Sequence, residues 1–161
     1  MQEVTITIDP GLEFGYALWD FLEYQKNNPR SLFSAGIFKS GSGWKNKLLS
    51  TTYSLSDLCE VYKIRKAVIE QPQFFASSGG TMVAARGDLI KLSMAAGAVA
   101  GVVGLYCRNV IFAPVTTWKG QLPKKIVEQR IFQIYDQDLP VPLSSHMWDA
   151  VGIGLWDLGV L

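Results

Sequence analysis

The chain has 161 residues, with 15 Lys and Arg against 14 Asp and Glu and one His, for a formal charge of +1. At 48% hydrophobic and 18% charged it carries enough apolar surface to offset chain entropy, which excludes disorder and fits one globular domain over residues 1–161. Cys59 and Cys107 lie far apart and form no C-x-x-C pair, which excludes a disulfide scaffold and a four-ligand zinc site and suggests a reducing, intracellular setting. The near-zero charge speaks against a nucleic-acid partner, because such proteins usually carry a surplus of Lys and Arg.

The elements follow in chain order. Met1-Gln-Glu-Val-Thr has no basic stretch leading into an apolar run, so no signal peptide is expected. Val4, Ile6 and Ile8 alternate with Thr5, Thr7 and Asp9, a strand pattern broken by Pro10-Gly11. Phe14 to Trp19 resumes as the second arm of a hairpin. Residues 21–31 read as a loop, and Leu32 to Lys39 as a third strand. Trp44 to Tyr62 has helical spacing of Leu48, Leu55, Leu58 and Val61. Ala67 to Ile69, ending at Glu70, is the short apolar run of a buried central strand. Residues 71–81 form a loop with Pro72, Phe74 and Phe75. A long helix is expected over 83–106, a last strand over 110–113, and helices over 124–135 and 146–158. Within the long helix, Leu92 to Cys107 is rich in Ala, Gly and Val but short for a membrane span. It suits close packing inside the domain or against a second subunit. Strands that meander first and then alternate with helices predict an α/β fold, a mixed sheet covered on both faces.

Three acids stand where apolar neighbours make charge costly. Asp9 closes the first strand, Glu70 closes the central one, and Asp149 lies among Met147, Trp148, Ala150 and Val151. An unpaired carboxylate in such surroundings tends to protonate, so a cationic side chain or a metal ion should compensate it. His146 lies three residues before Asp149, on the same helix face. Two strands and one helix can thus deliver four ligating groups to one place, and carboxylate oxygens suit Mg²⁺ or Mn²⁺. Two such ions would activate a water and stabilise the leaving oxygen of a phosphodiester. Structural roles stay open for each residue. Asp9 suits a turn before Pro10-Gly11; Glu70 suits an ion pair with Arg65, Lys66 or Arg86; Asp149 suits a helix start capped by Ser144 or Ser145.

These residues resemble the RuvC-type Holliday junction resolvases of the RNase H-like nuclease superfamily. The resemblance rests on Ile6-Thr-Ile8-Asp9-Pro10-Gly11 with Gly15-Tyr16-Ala17, on Val68-Ile69-Glu70-Gln71 with Phe74-Phe75, on Ala85-Arg86-Gly87, and on His146-Met-Trp-Asp149-Ala150. It runs from Thr5 to about Leu158. It implies an RNase H-like fold with a five-stranded mixed sheet, and a homodimeric endonuclease that nicks four-way DNA junctions symmetrically. It also implies a cytoplasmic setting, in a bacterial cell or a phage-infected host, and no membrane. Asp9, Glu70, His146 and Asp149 would be catalytic and bind two Mg²⁺ or Mn²⁺ ions, with His146 either a ligand or a general acid or base. Phe74 or Phe75 would wedge into the opened junction. Arg86, Lys119, Lys124 and Lys125 would contact DNA, the last two being misplaced for a helix dipole and suited to a phosphate. Other branched DNA, RNA–DNA hybrids, or a non-catalytic junction-binding dimer are the alternatives. If Asp9, Glu70 and Asp149 bind metal, 15 basic residues face the remaining 11 of 14 acidic ones, and the neutral total conceals a basic surface.

Overall fold

The computed structural model describes residues 1–11, 13–38, 42–73, 82–120, 122–136 and 138–161, with backbone alone at 82–86 and 145. Strands β1 (Glu3–Pro10), β2 (Phe14–Asp20) and β3 (Leu32–Phe38) form an antiparallel meander. Strands β4 (Lys63–Gln71) and β5 (Val110–Pro114) then add in parallel on the other side of β1, giving the order β3-β2-β1-β4-β5. The five-stranded mixed sheet is the expected one. β4 reaches further back than its apolar run because Lys63–Lys66 still pair with the start of β1, with Ile64 buried and Lys63 and Arg65 exposed.

Central position explains why both side-chain rows of β1 are buried. Val4, Ile6 and Ile8 pack under helices α2 (Trp44–Val61) and α3 (Met82–Tyr106), with Leu55, Cys59, Ala95, Val99 and Val103. The opposite face of the sheet lies under α5 (Lys124–Ile134) and α6 (Ser145–Asp157), through Val127, Ile131, Val151 and Ile153. There Thr7 donates its hydroxyl to the Ala150 carbonyl at 2.7 Å and accepts the Trp19 indole N–H at 3.0 Å. These bonds satisfy the Thr7 hydroxyl that β1 carries into the core, whereas the buried Thr5 hydroxyl on the same strand has no hydrogen-bond partner among the described residues. They also tie α6 to β1 and β2.

Two short helices replace expected loop. Residues 21–31 contain α1 (Phe21–Gln25) and a 3₁₀ turn at Pro29–Ser31. Asp20 caps α1 by accepting the N–H groups of Leu22 and Glu23, each at 3.1 Å, and five residues are too few to show periodicity. The four-residue α4 (Val115–Trp118) follows β5 directly.

Helix α6 lies so close to β2 that only glycine fits at two contact points. A Cβ on Gly15 would stand 2.1 Å from the His146 carbonyl oxygen, and one on Gly154 would stand 2.2 Å from the Trp19 ring. Gly15→Ala must push the start of α6 outward, at about 1–3 kcal/mol for overpacking. A fall in the unfolding midpoint by denaturant titration, with unchanged slope, is the expected result.

Candidate active site

Asp9 and Glu70 come together because β1 and β4 run parallel and in register. Ile8 pairs with Ile69, so the residue after each stands at the same end of the sheet. Helix α6 enters over that end and brings His146 and Asp149 from its first turns. All four predicted site residues therefore meet at one place. Asp9 and Asp149 are buried, and Glu70 and His146 partly so.

Each acid has a different partner. His146 Nδ1 lies 3.1 Å from Asp9 Oδ2, an imidazole–carboxylate hydrogen bond. Asp149 takes two cations, Lys119 Nζ on Oδ1 at 3.1 Å and Lys124 Nζ on Oδ2 at 3.3 Å. Glu70 accepts a neutral donor, the Trp118 indole N–H, on Oε2 at 3.0 Å. Two of the three structural pairings considered for Glu70 go elsewhere, and the third, to Arg86, falls on a side chain outside the described residues. Arg65 faces Glu3 at 3.8 Å and Lys66 forms a largely buried bridge to Asp157 at 2.5 Å.

Burial and mutual repulsion set the protonation of the cluster. Desolvation raises Asp9 above the usual carboxylate range, helped by the charge of Asp149, and outweighs the opposing hydrogen bond from His146. Burial, followed by the charges of Asp9 and Asp149, pushes Glu70 up to about 8. The Asp9 carboxylate, by accepting its hydrogen bond, raises His146 above the ordinary imidazole value.

The donor set fits a hard divalent cation by type, three carboxylates and an imidazole, with ionisation of Asp9 and Glu70 disfavoured until a positive charge is supplied. Among the described residues no three such donors yet converge at ligating distances, and the two lysines occupy Asp149.

The remaining predicted contacts divide. Lys119 and Lys124 lie at the cluster, engaged with Asp149, and Lys125 is exposed on the first turn of α5. Phe74 and Phe75 lie outside the described residues, as does the side chain of Arg86. Trp118 was not anticipated as a partner of Glu70. A signal for it exists: β5 is the parallel neighbour of β4, Glu70 pairs with Ala113, and residues just after β5 must therefore stand beside Glu70.

The fold is RNase H-like. Among solved structures the chain is similar to T. thermophilus RuvC in complex with Holliday junction substrate, with a TM-score of 0.66 and 16% identity over 95% of this chain and 90% of that one. It is likewise similar to a second Thermus thermophilus RuvC structure, with a TM-score of 0.63 and 16% identity over 94% and 91% of the two chains. No protein-family model matches the sequence, and no curated protein matches it.

The raised acids make metal-free stability fall with pH. An unfolded chain ionises Glu near pH 4.3, whereas the folded state keeps the Glu70 proton up to about 8, so folding takes up protons between these values. The His146–Asp9 bond acts in the same direction, since a raised imidazole pKa contributes below the unfolded value and is lost as pH rises through the folded one. In EDTA, the melting temperature should drop between pH 5 and pH 8, with a shallower drop in Glu70→Gln. A melting temperature that climbs over this range would contradict the assignment.

Proposed function

We propose that the protein is a metal-dependent endonuclease that resolves four-way DNA junctions by paired symmetric nicks. The observation that carries this reading is the meeting of Asp9, Glu70, His146 and Asp149 at one end of the sheet, on the RNase H-like fold. Asp9, Glu70, Asp149 and His146 would hold two Mg²⁺ or Mn²⁺ ions. When bound, such ions activate water and neutralise charge developing on the scissile phosphate. His146 orients the Asp9 carboxylate, either as a ligand beside it or as a proton carrier.

Lys119 and Lys124 have a further part in this reading. In the free protein they neutralise Asp149. A divalent cation at Asp149 would displace them, and a strand phosphate beside it offers them a new anionic partner. The lysines thus hold the Asp149 carboxylate until DNA and metal arrive together. Lys125, exposed on α5, extends the cationic surface, while Arg86 would contact DNA and Phe74 or Phe75 would supply the wedge. The same ion pairs favour a second reading, a junction-binding dimer without catalysis, in which the lysines replace the metal permanently.

Symmetric nicks require two copies, and α3 offers the surface. Its buried side is Ala95, Val99 and Val103, while Ile90, Met94 and Leu105 on the other side are 61%, 48% and 83% exposed. Gly97, Gly101 and Gly104 lie along that same uncovered stripe, with nothing within 4 Å of a Cβ built on them. Gly87–Tyr106 is long and apolar enough to cross a bilayer, but one face packs on the sheet with α2. A second copy laid along the stripe would bury apolar area and allow close backbone approach. A stable dimer needs roughly 800 Å² from each partner. Light scattering should give twice the monomer mass for the wild type and the monomer mass for Met94→Lys.

A synthetic four-way junction tests the activity. Wild type with Mg²⁺ or Mn²⁺ should cut it in preference to forks, flaps and RNA–DNA hybrids. Asp9→Asn should bind the junction and cut at least about a hundredfold more slowly. Binding without cutting by the wild type in both metals would favour the non-catalytic dimer, and preference for hybrids would move the substrate class.

A further inference from the structure

The four-residue helix α4 reaches three separate parts of the site. Thr116 donates both its N–H and its hydroxyl to Gln73 Oε1, at 3.1 and 2.6 Å, just after β4 ends. Trp118 donates to Glu70, and Lys119, the next residue, bonds Asp149. Trp118 itself is confined by its packing. It is 4% exposed, packs with Val127 and Ile131, and lies so near α6 that a Cβ on Gly152 would stand 2.8 Å from its ring.

The chemical type of the Glu70 partner matters. A lysine or arginine at that point would neutralise the carboxylate and compete with an incoming cation. An indole N–H can only donate and carries no charge. It holds one oxygen of the carboxyl group without placing a positive charge there that would compete with an incoming cation. Glu70 needs such a constraint, because a glutamate has three side-chain torsions and stands at the end of its strand.

We propose that Trp118 is a positioning residue for Glu70: its indole N–H holds Oε2 so that the carboxylate is preset for a divalent cation. Thr116 and Gln73 brace the same helix against the chain that follows β4. The inference rests on the reading of Glu70 as a metal ligand. Partners that orient a ligand in this way typically contribute 10-fold or more to metal affinity.

The test compares full-length wild type, Trp118→Phe, a variant carrying the isosteric benzothienylalanine at position 118, and Ile131→Val as a packing control. Benzothienylalanine keeps the ring shape and deletes only the N–H, so the test survives if Trp118→Phe folds poorly. Mn²⁺ binding is read by electron paramagnetic resonance of the free ion, without DNA, and junction binding by mobility shift in EDTA. Loss of the N–H should weaken Mn²⁺ binding about tenfold and leave junction binding in EDTA within about twofold. Ile131→Val should leave Mn²⁺ affinity unchanged. Wild-type Mn²⁺ affinity in the benzothienylalanine variant, or an equal loss in Ile131→Val, would overturn the proposal. Wild type that binds Mn²⁺ in the expected order of variants but cuts no junction would defeat the nuclease reading alone. Wild type that binds no Mn²⁺ would defeat both.

Discussion

Carboxylates crowded at one end of a sheet repel one another, and the structure around them is arranged to tolerate that repulsion. The chain meets it with three different partners. Asp149 receives two ammonium groups, Asp9 an imidazole, and Glu70 a neutral indole. Burial, with the charges of Asp9 and Asp149, pushes Glu70 up to about 8. A neutral donor lowers the cost of ionisation much less than a cation does. Nothing in the apolar core asks for such a cluster. Its cost is understandable as preparation for an external positive charge.

Holding the cluster requires α6 to sit on the sheet at a fixed height and rotation. Two kinds of contact set these. Thr7 bonds the Ala150 carbonyl from below, one residue beyond Asp149, and fixes the helix along its axis. Gly15 and Gly154 allow the helix to approach β2 closely at each end, against His146 and Trp19. At the far end, Tyr24 donates to the Gly154 carbonyl and to Asp157, which also pairs with Lys66. Polar bonds buried between helix and sheet are directional, so they define one seating where apolar packing alone would tolerate several. His146 and Asp149 inherit their positions from residues that do no chemistry.

Much of this was legible in the sequence, for physical reasons that differ by element. The alternation in β1 and the apolar run in β4 are patterns that burial imposes on strands, and acids that end such runs stand out against them. His146 and Asp149 were legible together because a spacing of three places them on one helix face. The α1 helix was not legible, since its cap at Asp20 acts over a single turn. Trp118 was missed for another reason. Its role depends on which strand neighbours β4, a fact of topology that no local pattern carries. The small-residue run in α3 signalled close packing, but composition that is apolar all round does not say which side meets the sheet. The structure divides it into a covered face at Ala95, Val99 and Val103 and an uncovered one at Ile90, Met94 and Leu105.

The formal charge of +1 now has a spatial explanation. Two of the cations closest to the site are not available as free surface charge, because Lys119 and Lys124 are committed to Asp149. Their commitment is conditional. An ammonium group paired to a carboxylate at 3.1 Å in a partly buried setting can exchange that partner for a phosphate if a divalent ion takes the carboxylate. On the proposed function, metal binding would free positive charge beside the site, and a backbone phosphate taken by the lysines would remove the competitors of the metal. Each ligand would then favour the other through the same two side chains, the linkage expected of two sites that share a pair of ions.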